Sequence, residues 1–161
     1  WALGQNDPAG WLDVQHRAPD RTASFLDALD GPFKTHLDRY KYASRFDVRA
    51  ALEHRTAGAA ILAEFDASLA SQPSLSGEKH GLLDFATLPF VRQFRIADPV
   101  WFDAQPWPHL HHWLQDFLES RQFASVMKKY AIWQQGADAV SFPEIVESET
   151  GGAADTGQVT V

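Results

Sequence analysis

Two groups of residues in this 161-residue chain have side chains and spacing that could do chemistry. The first combines aromatic rings with cations: Phe33, Lys34, His36, Tyr40, Lys41 and Tyr42. Such a group could line a pocket for an apolar ligand that carries an anionic end. A simpler interpretation makes Phe33 and Tyr40 core residues of a helix, with Lys34 and Lys41 solvated. That interpretation is favoured for each residue taken singly, and less so for the group.

The second group is His109, His112 and Asp116, spaced at i, i+3 and i+7. Helical neighbours three or four residues apart have Cβ atoms about 5–6 Å apart, close enough to share a divalent ion. The group lies opposite the apolar positions of the same segment and has no partner cluster elsewhere. We therefore expect an exposed histidine-rich face and no metal site.

Other kinds of catalytic site are not supported. The chain has no cysteine, which excludes a thiol nucleophile and thiolate metal ligands within it. It has no Gly-x-Ser-x-Gly elbow, no glycine-rich phosphate loop and no acid pair in an apolar context. We expect no catalytic residue in this chain.

The net charge is −7 and is unevenly distributed. Residues 136–161 hold five acids and no lysine or arginine, which leaves 16 acids against 14 bases, or −2, in residues 1–135. A nearly neutral body with an acidic tail argues against nucleic acid as a partner. No apolar run approaches the roughly 20 residues of a membrane span, so we expect no membrane partner either.

The segment 81–97 is the central element of the predicted fold. Eleven of its seventeen residues are apolar, which predicts a helix buried nearly all round. Asp84 follows Gly81 by three residues, where its carboxylate can accept backbone N–H groups at a helix start. Pro89 removes one internal hydrogen bond, so we expect a bend about two turns in.

The remaining pattern predicts an all-α bundle. Helices are predicted over 20–29, 33–42, 48–69 and from Pro108 onwards, with a break or sharp bend at 30–32 and an apolar turn at 100–102. Gly58, Ala59 and Ala60 would let another helix approach closely. We expect these side chains to point inward: Val48, Leu52, Ala59, Leu62, Phe65, Leu69, Leu110, Trp113, Leu114, Phe117, Leu118, Phe123, Val126, Met127 and Tyr130.

Four stretches in combination resemble the C-terminal helical domain of bacterial glutathione S-transferases of the omega-like branch. They are DGPFKTHLDRYKY (30–42), GLLDFATLPFVRQF (81–94), WFDAQPWPHLHHWLQDFLES (101–120) and VMKKY (126–130). In that family the position of Gly81 is usually Ser or Thr, which caps the central helix. Glycine loses the side-chain half of this capping box, at a cost of only a few tenths of a kcal/mol, while Asp84 keeps the other half.

The resemblance implies a two-domain, cytoplasmic, homodimeric enzyme whose thioredoxin-like N-terminal domain is absent from this chain. That domain would bind glutathione and carry the catalytic residue, and no metal is implied. Residues 1–18 would be the end of its last helix and the interdomain linker, 19–135 the helical domain, and 136–161 an acidic, largely flexible tail. The apolar start Trp-Ala-Leu fits a piece that lacks its upstream part.

The resemblance also implies functions for particular residues. Phe33, His36, Tyr40 and Trp133 are the candidates for the wall of the co-substrate site, and Asp84 and Pro89 for the structural signature of the central helix. The full-length protein would conjugate glutathione to electrophiles or reduce mixed disulfides, whereas this chain alone is expected to be inactive. Two alternatives stay open: a stand-alone, transferase-like protein-interaction module without catalysis, and an unrelated all-α ligand carrier with a closed apolar cavity.

Overall fold

The computed structural model describes residues 1–140, and these contain helices and no strand. The prediction of an all-α fold is confirmed. The chain divides into two units, Trp1–Lys128 and Lys129–Val161. The helices of the first unit are α1 Ala2–Gln5, α2 Asp13–Arg17, α3 Pro19–Ala28, α4 Lys34–Lys41, α5 Ala51–Leu69, α6 Leu82–Ala97, α7 Pro99–Asp103, α8 Pro108–Leu118 and α9 Arg121–Val126. No helix in this part of the chain has both the length and the apolar character needed to cross a bilayer.

The core of the first unit is formed by apolar side chains of α3 to α8. Its fully buried members include Phe33, Leu37, Leu62, Leu88, Val91, Phe94, Phe102 and Leu110. On α8 the inward pattern is confirmed, because Leu110, Trp113 and Leu114 are buried and Phe117 and Leu118 pack against the core. Pro108 occupies the first turn of α8, where its missing N–H has no intrahelical partner to lose.

Helix α6 begins one residue after Gly81 and is continuous across Pro89. One face is buried, including Leu88 and Val91. The prediction that α6 is buried nearly all round is wrong, because Pro89 and Ile96 are exposed. Apolar composition alone predicted too much burial, because only the face of α6 that contacts neighbouring helices is shielded from solvent.

The predicted interruption at 30–32 takes the form of a π-helical turn, Leu29–Phe33, which joins α3 directly to α4. Helix formation is therefore not broken there. A π turn replaces the i→i−4 bonds by wider ones, so Pro32, which has no N–H to donate, is accommodated within a continuous run. Kinks in helices are common at such turns.

Four inward predictions in or next to the ends of α5 and α9 are wrong. Val48 is 68% exposed because it lies in a 3₁₀ turn, Val48–Ala50, ahead of α5. Leu52, in the first turn of α5, is also exposed. Val126 ends α9 and is exposed, as is Met127 just beyond it.

The second unit is described only as far as residue 140 and has no regular helix or strand over 129–140. Tyr130, predicted to point inward, is 42% exposed. The prediction of an acidic, flexible tail concerns residues 136–161, and its larger part, including the apolar stretch 141–146, lies outside the described residues.

Candidate functional site

An aromatic cluster joins α4, α5 and α6. Phe94 of α6 stacks on Phe33 with ring centroids 5.9 Å apart, and the ring of Tyr40 on α4 lies 5.1 Å from that of Phe94. Phe65 of α5 meets the edge of Phe33 at 5.9 Å. Phe33 is completely buried and offers no surface to a ligand, whereas the ring of Tyr40 is only partly buried.

Gly58 makes this cluster possible. A Cβ atom built on Gly58 would lie 2.6 Å from Cε2 of Phe94, closer than real Cβ contacts. The group that comes close to Gly58 is the ring of Phe94 on α6, which fills the space that a side chain at position 58 would take.

The hydroxyl of Tyr40 is buried and has no hydrogen bond of good geometry among the described residues. Burial raises the pKa of Tyr40, and the neighbouring Arg55 guanidinium partly offsets this. Arg55 itself lies over the ring of Trp101, 4.4 Å from its centroid, and pairs with Asp98 across 3.2 Å. A phenol beside a guanidinium is suited to donate a hydrogen bond while staying neutral at physiological pH.

His36 of α4 does not point into the aromatic cluster. Its Nδ1 atom lies 2.9 Å from Nδ1 of His54 on α5, and both side chains are half-buried. Burial is the largest cause that lowers the pKa of His36, followed by the positive charges of His54 and Arg39. The pair thus bridges α4 and α5 beside the cluster that contains Tyr40.

Trp133 belongs to the second unit and is 75% exposed. With Tyr130, Ile132 and Val140 it lines an apolar cavity of about 520 Å³ within that unit. Of the four predicted co-substrate residues, the structure brings Phe33 and Tyr40 together around Phe94, turns His36 towards α5 and describes Trp133 separately.

The start of α6 is organised by Asp84, which is completely buried. Its carboxylate accepts four hydrogen bonds: from the backbone N–H groups of Leu75 at 2.8 Å, Ser76 at 3.1 Å and Gly81 at 3.0 Å, and from Nε1 of Trp113 at 2.9 Å. These donors lie on the loop before α6, on the N-cap residue and on α8. One side chain therefore joins three parts of the fold.

Ser76 replaces the capping side chain that Gly81 lacks. Its Oγ accepts the backbone N–H of Leu83 at 3.2 Å, in the second position of α6. A Cβ atom on Gly81 would lie 3.0 Å from both Cβ and Oγ of Ser76. The loop serine thus occupies the space of the side chain that residue 81 does not have.

Comparison with known families decides the identity of this helical unit. Residues 16–116 match the family described as glutathione S-transferase, C-terminal domain, which is more than half of the chain. This chain is a member of that family. No curated protein and no solved structure matches it.

In this glutathione S-transferase C-terminal domain, the histidines of α8 serve separate contacts. His112 pairs with Asp116, Nε2 to Oδ2 at 3.3 Å, on the exposed face. The backbone N–H of His109 donates to Asp66 of α5 at 2.9 Å. Within residues 1–140, no group of three or more potential metal ligands is brought together.

Sequence reasoning missed several residues around Tyr40 in the transferase domain. Arg55 lies over its ring and Asp98 acts on its hydroxyl, while Trp101 packs on Arg55. His54 meets His36. Arg55 and Asp98 are 43 positions apart, so no local spacing indicates that they pair. Gly58 was an available local signal, because the ring of Phe94 on α6 packs against it.

Proposed function

We propose that this chain is the co-substrate-binding and dimerisation domain of a glutathione transferase of the bacterial, omega-like kind. The full-length form would conjugate glutathione to electrophiles or reduce mixed disulfides. The membership of residues 16–116 in the transferase C-terminal family is the observation that carries this proposal. Glutathione would be bound mainly by a thioredoxin-like N-terminal domain, and the protein would act as a cytoplasmic homodimer without a metal.

The proposed co-substrate wall is the partly buried surface of α4. Tyr40 would offer the accessible part of its ring to an apolar co-substrate, while its hydroxyl stays buried. His36 would contribute from the same helix, and Phe33 would support Tyr40 from behind through Phe94. Trp133, in the second unit, remains a separate candidate for co-substrate contact.

The chemistry of such an enzyme depends on a thiolate. A hydroxyl donor can stabilise the thiolate of glutathione, or a cysteine of lowered pKa can exchange with a disulfide. This chain has no cysteine. We therefore propose that the thiol-activating group lies in the N-terminal domain and that the chain alone has no transferase activity.

The first experiment is to determine the mass and sequence of the natural gene product, then assay it. We expect a product longer by about 80 residues, the size of a small α/β domain, and activity with glutathione and either an electrophile or a mixed disulfide. A natural product without a thioredoxin-like domain would overturn the enzyme proposal. The interaction-module alternative would then replace it.

Substitutions in the full-length enzyme test the wall separately. Tyr40→Ala should raise KM for an apolar electrophile about tenfold while leaving KM for glutathione unchanged, because an aromatic contact contributes about 0.5–1.5 kcal/mol beyond area burial. Thr35→Ala, an exposed position on the same helix, is the matched control and should change neither value. Equal KM values for Tyr40→Ala and Thr35→Ala would remove Tyr40 from the wall.

A further inference from the structure

The contact between His36 and His54 limits which of their ring nitrogens can carry a hydrogen. The two Nδ1 atoms face each other at 2.9 Å, with ring centroids 5.2 Å apart. A neutral imidazole carries one N–H and one lone pair, so one Nδ1 must donate and the other accept. The two rings must therefore take opposite tautomers when both are neutral.

Proton uptake affects this contact in two distinct steps. One added proton leaves an imidazolium that donates to a neutral imidazole, so the N–H···N bond survives. A second proton places N–H groups on both facing nitrogens and two positive charges on the rings. At 2.9 Å that state has no acceptor and strong repulsion, so the contact must open.

Within residues 1–140, neither His36 nor His54 forms an ion pair with a carboxylate that would stabilise the doubly protonated state. The charged group that acts on His36 besides His54 is Arg39, which is positive. Charged side chains on the neighbouring elements are engaged elsewhere: Asp38 with Lys34, Arg55 with Asp98, Arg95 with Asp103, Lys41 and Arg45 at the ring of Tyr42, and Arg92 at Phe123. Glu53, next to His54 in the chain, is exposed, and Asp30 of the π turn acts on Lys34.

We propose that the His36–His54 pair is a proton-operated latch between α4 and α5, closed with at most one added proton and open with two. Its opening would also shift residues of the aromatic cluster, because both α4 and α5 carry residues that contact it. Tyr40 follows His36 by four residues, one turn along α4, and Arg55 follows His54 directly on α5. Mild acid would thus loosen the contacts of Tyr40 and Arg55 without unfolding the domain.

The second proton should bind below the ordinary histidine pKa of about 6.5, because the first proton repels it. The closed contact lowers the pKa of this second protonation. For each pKa unit of lowering, the ratio of open to closed pairs rises about tenfold at pH values below the lowered pKa. The latch is therefore expected to be closed at neutral pH and to open as the pH falls below the ordinary histidine range.

NMR of the 161-residue chain tests the latch directly. Nitrogen chemical shifts of the two imidazoles at pH 7.5 should show opposite tautomers, and their titration should proceed in two separated steps. Amide hydrogen exchange at the end of α4, for example at Tyr42, should accelerate about tenfold between pH 7 and 5 after correction for the intrinsic rate. Identical tautomers, or a single shared titration step, would overturn the proposal.

Glutamine variants separate the latch from general acid sensitivity. His54→Gln can still hydrogen-bond but cannot be protonated, so α4 should keep its protection at pH 5. His112→Gln, at an exposed histidine whose side chain is 78% accessible, is the control and should open as the parent does. His36→Gln is the second variant if His54→Gln fails to fold. Equal acid-induced exchange in the parent and in both latch variants would show that the pair does not control α4.

Discussion

The indole N–H of Trp113 donates to the buried carboxylate of Asp84 across 2.9 Å, although the two residues are 29 positions apart. This bond ties the middle of α8 to the first turn of α6. The same carboxylate accepts three backbone N–H groups, so the side chain that caps α6 also positions the preceding loop and the neighbouring helix.

Asp84→Asn should be strongly destabilising. The amide NH₂ group would face backbone N–H donors that now bind a carboxylate, and buried donors would be left without acceptors. We expect the free energy of unfolding to fall by about 2–4 kcal/mol, measured by urea denaturation. Asp116→Asn, at an exposed carboxylate, is the control and should change stability little. A loss below about 1 kcal/mol for Asp84→Asn would show that the network is not stabilising.

A double-mutant cycle can test whether Ser76 caps α6 in place of the side chain that Gly81 lacks. Gly81→Ser should destabilise the domain, because its Cβ would lie 3.0 Å from Ser76 and from the carbonyl oxygen of Trp11. Ser76→Gly should cost about 1 kcal/mol through loss of the acceptor for Leu83. The combined variant should be more stable than the sum of the two effects predicts, since the serine introduced at position 81 can then cap α6 itself. Additive effects would mean that the two positions do not share one capping site.

Gly58→Ala should reveal how closely the Phe94 ring of α6 packs against α5. Alanine is a better helix former than glycine by about 1 kcal/mol, yet the new Cβ would meet Phe94 at 2.6 Å. We expect overpacking to dominate, with a net destabilisation of about 1–2 kcal/mol in thermal unfolding. Gly4→Ala, where nothing lies within 4 Å, is the matched control and should be neutral or slightly stabilising. Stabilisation by both substitutions would contradict the close approach.

Thr87→Val should be neutral or stabilising. The Thr87 side chain is completely buried, and its hydroxyl has no hydrogen-bond partner among the described residues. Replacing it by a methyl group removes an unsatisfied polar atom at nearly constant volume. Thr22→Val is the control, because the buried hydroxyl of Thr22 donates to the carbonyl of Val14 at 3.3 Å. We expect it to cost about 1 kcal/mol, and a reversed order of stability would contradict this account.

The pair of Arg95 and Asp103 should make a small contribution to stability that depends on pH. The hydrogen bonds from Arg95, at 2.7 and 2.8 Å, hold the pKa of Asp103 below its ordinary value of 3.8. The contribution is therefore present above pH 3.8 and is lost as the pH falls through the lowered pKa. Because both side chains are partly exposed, we expect only a few tenths of a kcal/mol. Asp103→Asn should remove this acid-side change in denaturation curves, whereas Asp27→Asn, at an exposed carboxylate, should not.

The sequence by itself determined the helices and the polarity of their faces wherever the signal was local. The spacing of Leu110, Trp113 and Leu114 predicted the buried face of α8, and Asp84 placed the start of α6 within one residue. A helix face repeats every 3.6 residues and a cap acts within one turn, so both can be recognised within a short window. The four stretches that resemble the family likewise predicted a fold that the match over residues 16–116 supports.

Only the tertiary structure decided which of these faces are covered and which distant side chains meet. Val48, Leu52 and Val126 have the apolar character of core residues but lie at helix ends, where no neighbouring helix covers them. The contacts of Ser76 with Leu83, His36 with His54 and Arg55 with Asp98 join residues 7, 18 and 43 positions apart. Such contacts depend on how distant segments pack against each other. The spacing of residues along one helix does not indicate which side chains of another segment they will contact.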